Sequence, residues 1–243
     1  MRILLTNDDG IDCEGLQCLA RKLSKHDLWI VAPDRNRSAV SHCITMTTPL
    51  KIEKREDKVF TCSGVPVDCV INGVNGILTE KPDIILSGIN RGANIGTDVL
   101  YSGTCAAARQ AALFGIPGIA VSLTADNEIW DYECLASFIS KNIDKLASLC
   151  SQDVFINVNA KSAKKYKGCC FTKLSRRFYG DSVKLYDAPD GNSYSFFVGG
   201  NIETDSDSES DFFVVENGMI SISRVHAQPL IAEDKIEEFQ FTL

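Results

Sequence analysis

Short, continuous apolar runs, each ended abruptly by polar residues, glycine or proline, recur along the first 160 residues of the chain. Arg2-Ile3-Leu4-Leu5-Thr6, Leu28-Trp29-Ile30-Val31-Ala32, the Ile84-Ile85-Leu86 run, residues 117 to 123 and Val154 to Asn159 are the clearest. Runs of this kind are strands buried on both faces, as in parallel sheets; the last of them reads as the final strand of a core. Between them the pattern changes period. Leu16, Leu19, Ala20 and Leu23 recur at helical spacing, Pro66 to Ile71 enters a helix with proline in its first turn, Tyr101 to Phe114 is an alanine-rich helix ended by Gly115, and Trp130 to Leu149 is amphipathic. Strand and helix in alternation predict right-handed βαβ crossovers, hence an α/β fold with a mostly parallel sheet flanked by helices.

Two segments depart from this alternation. Residues 44 to 62 exchange Thr, Lys and Glu with apolar residues around Pro49, which predicts short antiparallel excursions. Beyond residue 160, Cys169 to Leu174, Ser193 to Val198, Phe212 to Val215 and Met219 to Ile222 are short, β-rich and separated by Gly, Asp and Ser. They predict hairpins reaching out from the core, and an extension that cannot bury itself is available to grip another subunit. The expected division is therefore a core over 1–160 and a β-rich extension over 161–243. The acidic run Thr204 to Asp211 lacks the glycine and register of a calcium loop and reads as a solvated turn.

Composition narrows the function. At 243 residues the chain can bury a large core, and its net charge of −7 argues against a nucleic-acid polymer as partner, since phosphate backbones need a basic face. No apolar run approaches membrane-spanning length and the first residues enter a strand directly, so the expected setting is cytoplasmic, with no membrane partner. The 10 cysteines are scattered singly or, at Cys169 and Cys170, side by side, without any Cys-x-x-Cys, which predicts buried free thiols.

The candidate chemistry sits where strands end. The first strand stops at Asn7-Asp8-Asp9-Gly10, delivering two carboxylates to the sheet edge where ligands bind in open α/β folds. Adjacent carboxylates repel unless a proton or cation holds them, and Asp oxygens suit Mg²⁺, Mn²⁺ or Ca²⁺. The alternative is that Asp9 or Asp12 caps the following helix. On the same rim, Asp34-Arg35-Asn36-Arg37-Ser38 offers arginines for a phosphate or a hydroxyl for a metal, or is simply a solvated loop. Ser87-Gly88-Ile89-Asn90-Arg91-Gly92-Ala93-Asn94 supplies glycines that admit an anion to the backbone and two amides. Ser102-Gly103-Thr104 opens a helix whose N-terminus is a ready anion site, besides any capping role. Together these parts predict a phosphomonoester hydrolase. A hard cation on Asp8 and Asp9 would polarise the phosphoryl group and activate water, with Asp8 or Asp9 as base, and Asn94, Ser102, Gly103 and Thr104 on the phosphate. The first strand ends in Asp8-Asp9 rather than in an Asp-x-Asp phosphoenzyme signature, and the chain has no Gly-x-Ser-x-Gly elbow, which favours direct attack by water.

The same four blocks, Arg2 to Gly10, Val31 to Ser38, Ser87 to Asn94 and Tyr101 to Thr104, resemble the SurE (survival protein E) family of metal-dependent nucleotidases, closely through about residue 123 and again at Asn157-Val158-Asn159. The resemblance implies a Rossmann-like core whose C-terminal β extension is exchanged between protomers of a dimer or tetramer. It implies that Asp8, Asp9, Ser38 and Asn90 ligate one divalent metal per subunit, commonly Mn²⁺ or Mg²⁺. It also implies hydrolysis of nucleoside 5′- and 3′-monophosphates, in some members of polyphosphate. Three stretches depart from the family pattern: Ala39 follows Ser38 where glycine is usual, Val65 replaces a threonine before Pro66, and Ser221-Ile222-Ser223-Arg224-Val225 stands where Ser-x-Thr-Pro-Leu is usual. Two other readings remain at this level. A receiver-type signalling domain also ends its first strand in acidic residues but needs a later phosphoacceptor Asp, where this chain has Ser87-Gly88-Ile89-Asn90. A non-catalytic nucleotide-binding module would use the glycine loop without needing Asp8 and Asp9.

Overall fold

A computed structural model of the chain describes residues 1–205 and 207–230. The apolar runs become strands β1 (Arg2–Thr6) and β2 (Asp27–Pro33), joined by helix α1 (Glu14–Lys22); β3 (Ile52–Glu56) and β4 (Val59–Cys62) follow, then helix α2 (Pro66–Asn72). Next come β5 (Ile84–Arg91), helix α3 (Gly103–Leu113), β6 (Gly118–Thr124), helix α4 (Glu133–Ser148) and β7 (Val154–Lys161). The C-terminal third supplies β8 (Cys169–Phe171), β9 (Arg176–Tyr179), β10 (Ser182–Asp187), β11 (Ser193–Val198), β12 (Ile202–Asp205), helix α5 (Asp211–Glu216) and β13 (Ile220–His226). A nine-stranded sheet has the order β3-β4-β2-β1-β5-β6-β7-β13-β8, parallel from β4 through β7 with antiparallel β3 and β13 laid against the two ends of that run.

Continuous apolar strands are required because both faces of the sheet are covered. Ile3 and Leu5 of β1 pack with Leu16, Leu19, Leu135 and Ile139 from α1 and α4, while Leu4 between them packs with Val70, Ala107 and Ala111 from α2 and α3. Each such side chain, removed from water, contributes roughly 1.5–3 kcal/mol. The alanines of α3 allow that helix to lie close on the sheet: a Cβ added at Gly118 of β6 would stand 2.1 Å from the Ala108 carbonyl oxygen.

Several expectations are corrected. β7 is not the last strand of the core, because antiparallel β13 bonds along it and carries β8 outward. The sheet therefore crosses the expected division at residue 160. Phe212 to Val215 is helix, not strand: Ser210 accepts the Phe213 N–H at 3.2 Å as N-cap, and burial of Val214 and Val215 outweighs their β preference. Asp211, expected in a solvated turn, is fully buried and accepts N–H bonds from Gly96 at 2.7 Å and Ser175 at 2.9 Å. β5 runs on through Asn90, expected in a loop, with a register shift against β6 between Ser87 and Asn90. Hairpins do project from the core: β10 pairs with β11, and β9 with β12, in antiparallel ribbons. Residues 231–243 of the expected extension, and Ser206 in the acidic run, lie outside the described residues.

Candidate functional site

The turn after β1 is closed by Asn7, whose amide donates to the Gly10 carbonyl at 2.8 Å and to Cys13 Sγ at 2.9 Å. Helix α1 begins at Cys13 without a side-chain cap, so neither Asp9 nor Asp12 is used on the helix end. Instead the carboxylates are held from three sides. The Asp8 carbonyl accepts the Arg37 N–H at 2.7 Å, which ties the loop after β2 to the end of β1. Asp8 Oδ1 accepts the Thr104 hydroxyl at 2.5 Å, and Asp9 Oδ2 accepts the Arg91 N–H at 2.8 Å. Burial raises the Asp8 pKa to about 6, with the neighbouring Asp9 charge adding to the rise and Thr104 opposing it. Burial also raises Asp9, against the Arg91 N–H and its charge.

Asp8, Ser38, Asn90, Asn94 and Ser102 line one cleft of about 750 Å³. Asn90 donates its amide to the Gly92 carbonyl at 2.7 Å, and the Ser38 N–H donates to Asn36 Oδ1 at 2.9 Å. Among the described residues these bonds leave Asp8 Oδ2, Asp9 Oδ1, Ser38 Oγ and Asn90 Oδ1 without a hydrogen-bond partner. Two carboxylate oxygens with one hydroxyl and one amide oxygen is a donor set suited to a hard divalent cation. No group of three or more His, Cys, Asp or Glu suited to a metal occurs among the described residues, so any site here depends on the two neutral oxygens.

The anion side is divided between exposed and committed groups. Ser102 caps α3 by accepting the Cys105 N–H at 3.0 Å, which leaves its hydroxyl proton free to donate. Gly103 lies directly against Asp8; a Cβ there would stand 3.0 Å from Asp8 Cβ and 3.1 Å from Oδ2. Thr104, expected on the phosphate, is fully buried with its single hydroxyl proton given to Asp8. Asn94 is nearly buried: its carbonyl accepts from Asn157 at 2.8 Å and Asn159 at 3.0 Å, and its amide donates to Ser122 at 2.8 Å. One amide hydrogen of Asn94 is left for a ligand.

The opposite wall of the cleft comes from residues the sequence pattern did not single out: Tyr179, Asp181, Phe197 and Ile202, from the C-terminal ribbons, with Asp98 from a 3-10 turn over Gly96–Leu100. Nothing local marks them, since their place depends on ribbons folding back across more than 70 residues of chain.

A family model described as "Survival protein SurE" matches residues 3–181. A protein named 5'-nucleotidase SurE from Thermosipho melanesiensis is 39% identical, over 93% of this chain and 91% of its own. One of the same name from Treponema pallidum is 43% identical, over 72% of this chain and 98% of its own. A solved structure titled as the Sure protein from Aquifex aeolicus, 34% identical, matches with a TM-score of 0.80 over 94% of each chain.

Proposed function

The chain belongs to the SurE family, and from that membership we propose that it is a 5′-nucleotidase that hydrolyses nucleoside monophosphates with the help of one divalent cation per subunit, Mn²⁺ or Mg²⁺. One observation supports this above the others: Asp8, Ser38 and Asn90 line one cleft with Ser102 at the N-terminus of α3, Asp9 follows Asp8 in the same turn, and each of the four keeps an oxygen outside the hydrogen bonds described. Those four residues would hold the cation, which when bound neutralises phosphoryl charge and acidifies water.

The remaining chemistry is assigned to the chain itself. Ser102, through its free O–H, and the N–H of Gly103 bind the phosphoryl oxygens at the positive end of α3, and Asn94 adds an amide hydrogen. Thr104 positions Asp8 by holding Oδ1, so that Oδ2 is the atom presented to the ligand. The proton of the attacking water passes to the carboxylate of Asp8 or Asp9. The nucleoside leaves along the cleft, toward Tyr179 and Phe197.

Three finer readings go with this one. Nucleoside 3′-monophosphates and polyphosphate are further substrates of the same centre. The chain acts as a homo-oligomer, dimer or tetramer, in the cytoplasm; support comes from the ribbon β10–β11, where Leu185, Tyr186, Phe196 and Phe197 are exposed. No helix among the described residues is long and apolar enough to cross a membrane. The test is phosphate release from 5′- and 3′-monophosphates and polyphosphate by chelator-stripped protein, with and without Mn²⁺ or Mg²⁺. Release only with metal is expected. Folded protein that releases none with any metal would overturn the assignment.

A further inference from the structure

The 3-10 turn at Gly96–Leu100 lies between the two ends of the cleft, and Asp98 within it is bonded to both. Its backbone carbonyl accepts the N–H groups of Tyr101 at 3.0 Å and Ser102 at 3.1 Å, the latter being the cap of α3. Its side chain turns the other way. Oδ2 forms an ion pair with Arg177 and Oδ1 accepts the Tyr179 hydroxyl, both on β9. These carboxylate and guanidinium groups are largely shielded, at 20% and 16% side-chain exposure, so the pair is screened less than a surface one. The adjacent Thr97 completes the junction, accepting the Arg177 N–H at 2.9 Å.

The ribbon that Asp98 grips has few other ties to the rest of the cleft. β9 is paired with β12 alone, and Ile202, opposite Tyr179 in that pairing, lines the cleft with it. This ribbon brings Tyr179 and Ile202 to the cleft beside Phe197 of β11, whereas the residues assigned to the phosphoryl group and the metal come from the strand ends and the start of α3. Aromatic walls of this kind take up a base by stacking.

We propose that Asp98 is a positioning residue for the nucleoside: by holding Arg177 and Tyr179 it sets the distance between the aromatic wall and the start of α3, and so governs recognition of the leaving group without acting on the phosphoryl group. This rests on the nucleotidase reading above. The carbonyl bonds to Tyr101 and Ser102 survive any side-chain change at Asp98, and Thr97 still holds the Arg177 backbone, so substitution frees the Arg177 and Tyr179 side chains and leaves the phosphate end in place.

The test compares Asp98→Asn, Arg177→Gln and the double variant, in the full chain with Mn²⁺, on adenosine 5′-monophosphate and on p-nitrophenyl phosphate, which has neither ribose nor base. Thermal unfolding establishes that each variant is folded, and Arg177→Gln stands in if Asp98→Asn is not. Each single substitution is expected to raise KM for the nucleotide ~10-fold with kcat within ~2-fold, to leave p-nitrophenyl phosphate turnover nearly unchanged, and to add little in the double variant. Equal losses on both substrates, or an unchanged nucleotide KM in folded variants, would overturn the positioning role. Wild-type protein inactive on both substrates would instead remove the nucleotidase reading and this inference with it.

Discussion

Asp8 is a carboxylate whose burial brings its titration close to neutral pH. Burial lifts its pKa from 3.8 to about 6, so in metal-free protein the stabilisation it gives relative to the unfolded chain is complete below about pH 3.8 and lost as pH rises through about 6. Chemical denaturation of chelated protein between pH 4 and 7 should therefore show stability falling, by roughly 3 kcal/mol at most. A bound cation needs the ionised form. Mn²⁺ affinity, followed by titration calorimetry, should weaken toward ~10-fold per pH unit below that midpoint. Gly103 tests the same contact sterically. Gly103→Ala places a methyl group 3.1 Å from Asp8 Oδ2, and a displaced ligand should lower kcat/KM by at least ~10-fold while the helix still forms. At this scale the sequence sets two adjacent Asp at a strand end and a Ser before a helix, and the structure has both there. At Thr104 residue type leaves two partners open, an anion or a carboxylate, and the packing of α3 gives the hydroxyl to Asp8.

Two elements carry residues that their local geometry does not favour. Ala39, in the loop that brings Ser38 to the cleft, sits at φ 58°, the left-handed region that disfavours a Cβ. Ala39→Gly should stabilise the protein by up to ~1 kcal/mol, the relief of the left-handed strain less the added freedom of the unfolded glycine, read as a higher midpoint of thermal unfolding. Helix α2 starts at Val65, which has no oxygen to cap it; Asp68 accepts the Val65 N–H at 2.9 Å and so makes one half of a capping box. Val65→Thr supplies the other half and should add ~1 kcal/mol by the same measurement. Strands β1 and β2 were legible as continuous apolar runs because both faces of the sheet are covered, and α1 and α4 by their helical period because each buries one face. Helix α5 was not, since Phe212-Phe213-Val214-Val215 reads as strand by type and becomes helical through the Ser210 cap and through contact with β13 and β7.

For the molecule as a whole, the parallel half of the sheet and the rim it creates followed from strand-helix alternation, but the far wall of the cleft did not. The wall depends on pairings such as Tyr179 with Ile202 and on the return of β13 beside β7, contacts between residues far apart in the chain that leave no periodic trace. A cation that binds only the folded chain must also stabilise all of it. At 100 times its dissociation constant Mn²⁺ should add ~2.7 kcal/mol, or roughly 5 to 10 °C in thermal midpoint for a chain of this length. An Asp8→Ala variant should lose that increment.

Buried Asp211 joins Gly96 and Ser175, segments that leave the ribosome long before it does. During synthesis the carboxylate pair, the glycine loop and the start of α3 are thus all made while the turn at Gly96–Leu100 still lacks its last anchor. A chain stopped just before residue 211 would hold every residue that lines the cleft and lack both the carboxylate that ties Gly96 to Ser175 and the strand β13 that closes the sheet beside β7. A domain folds as a unit, so the acidic centre, early in sequence, waits on residues made late.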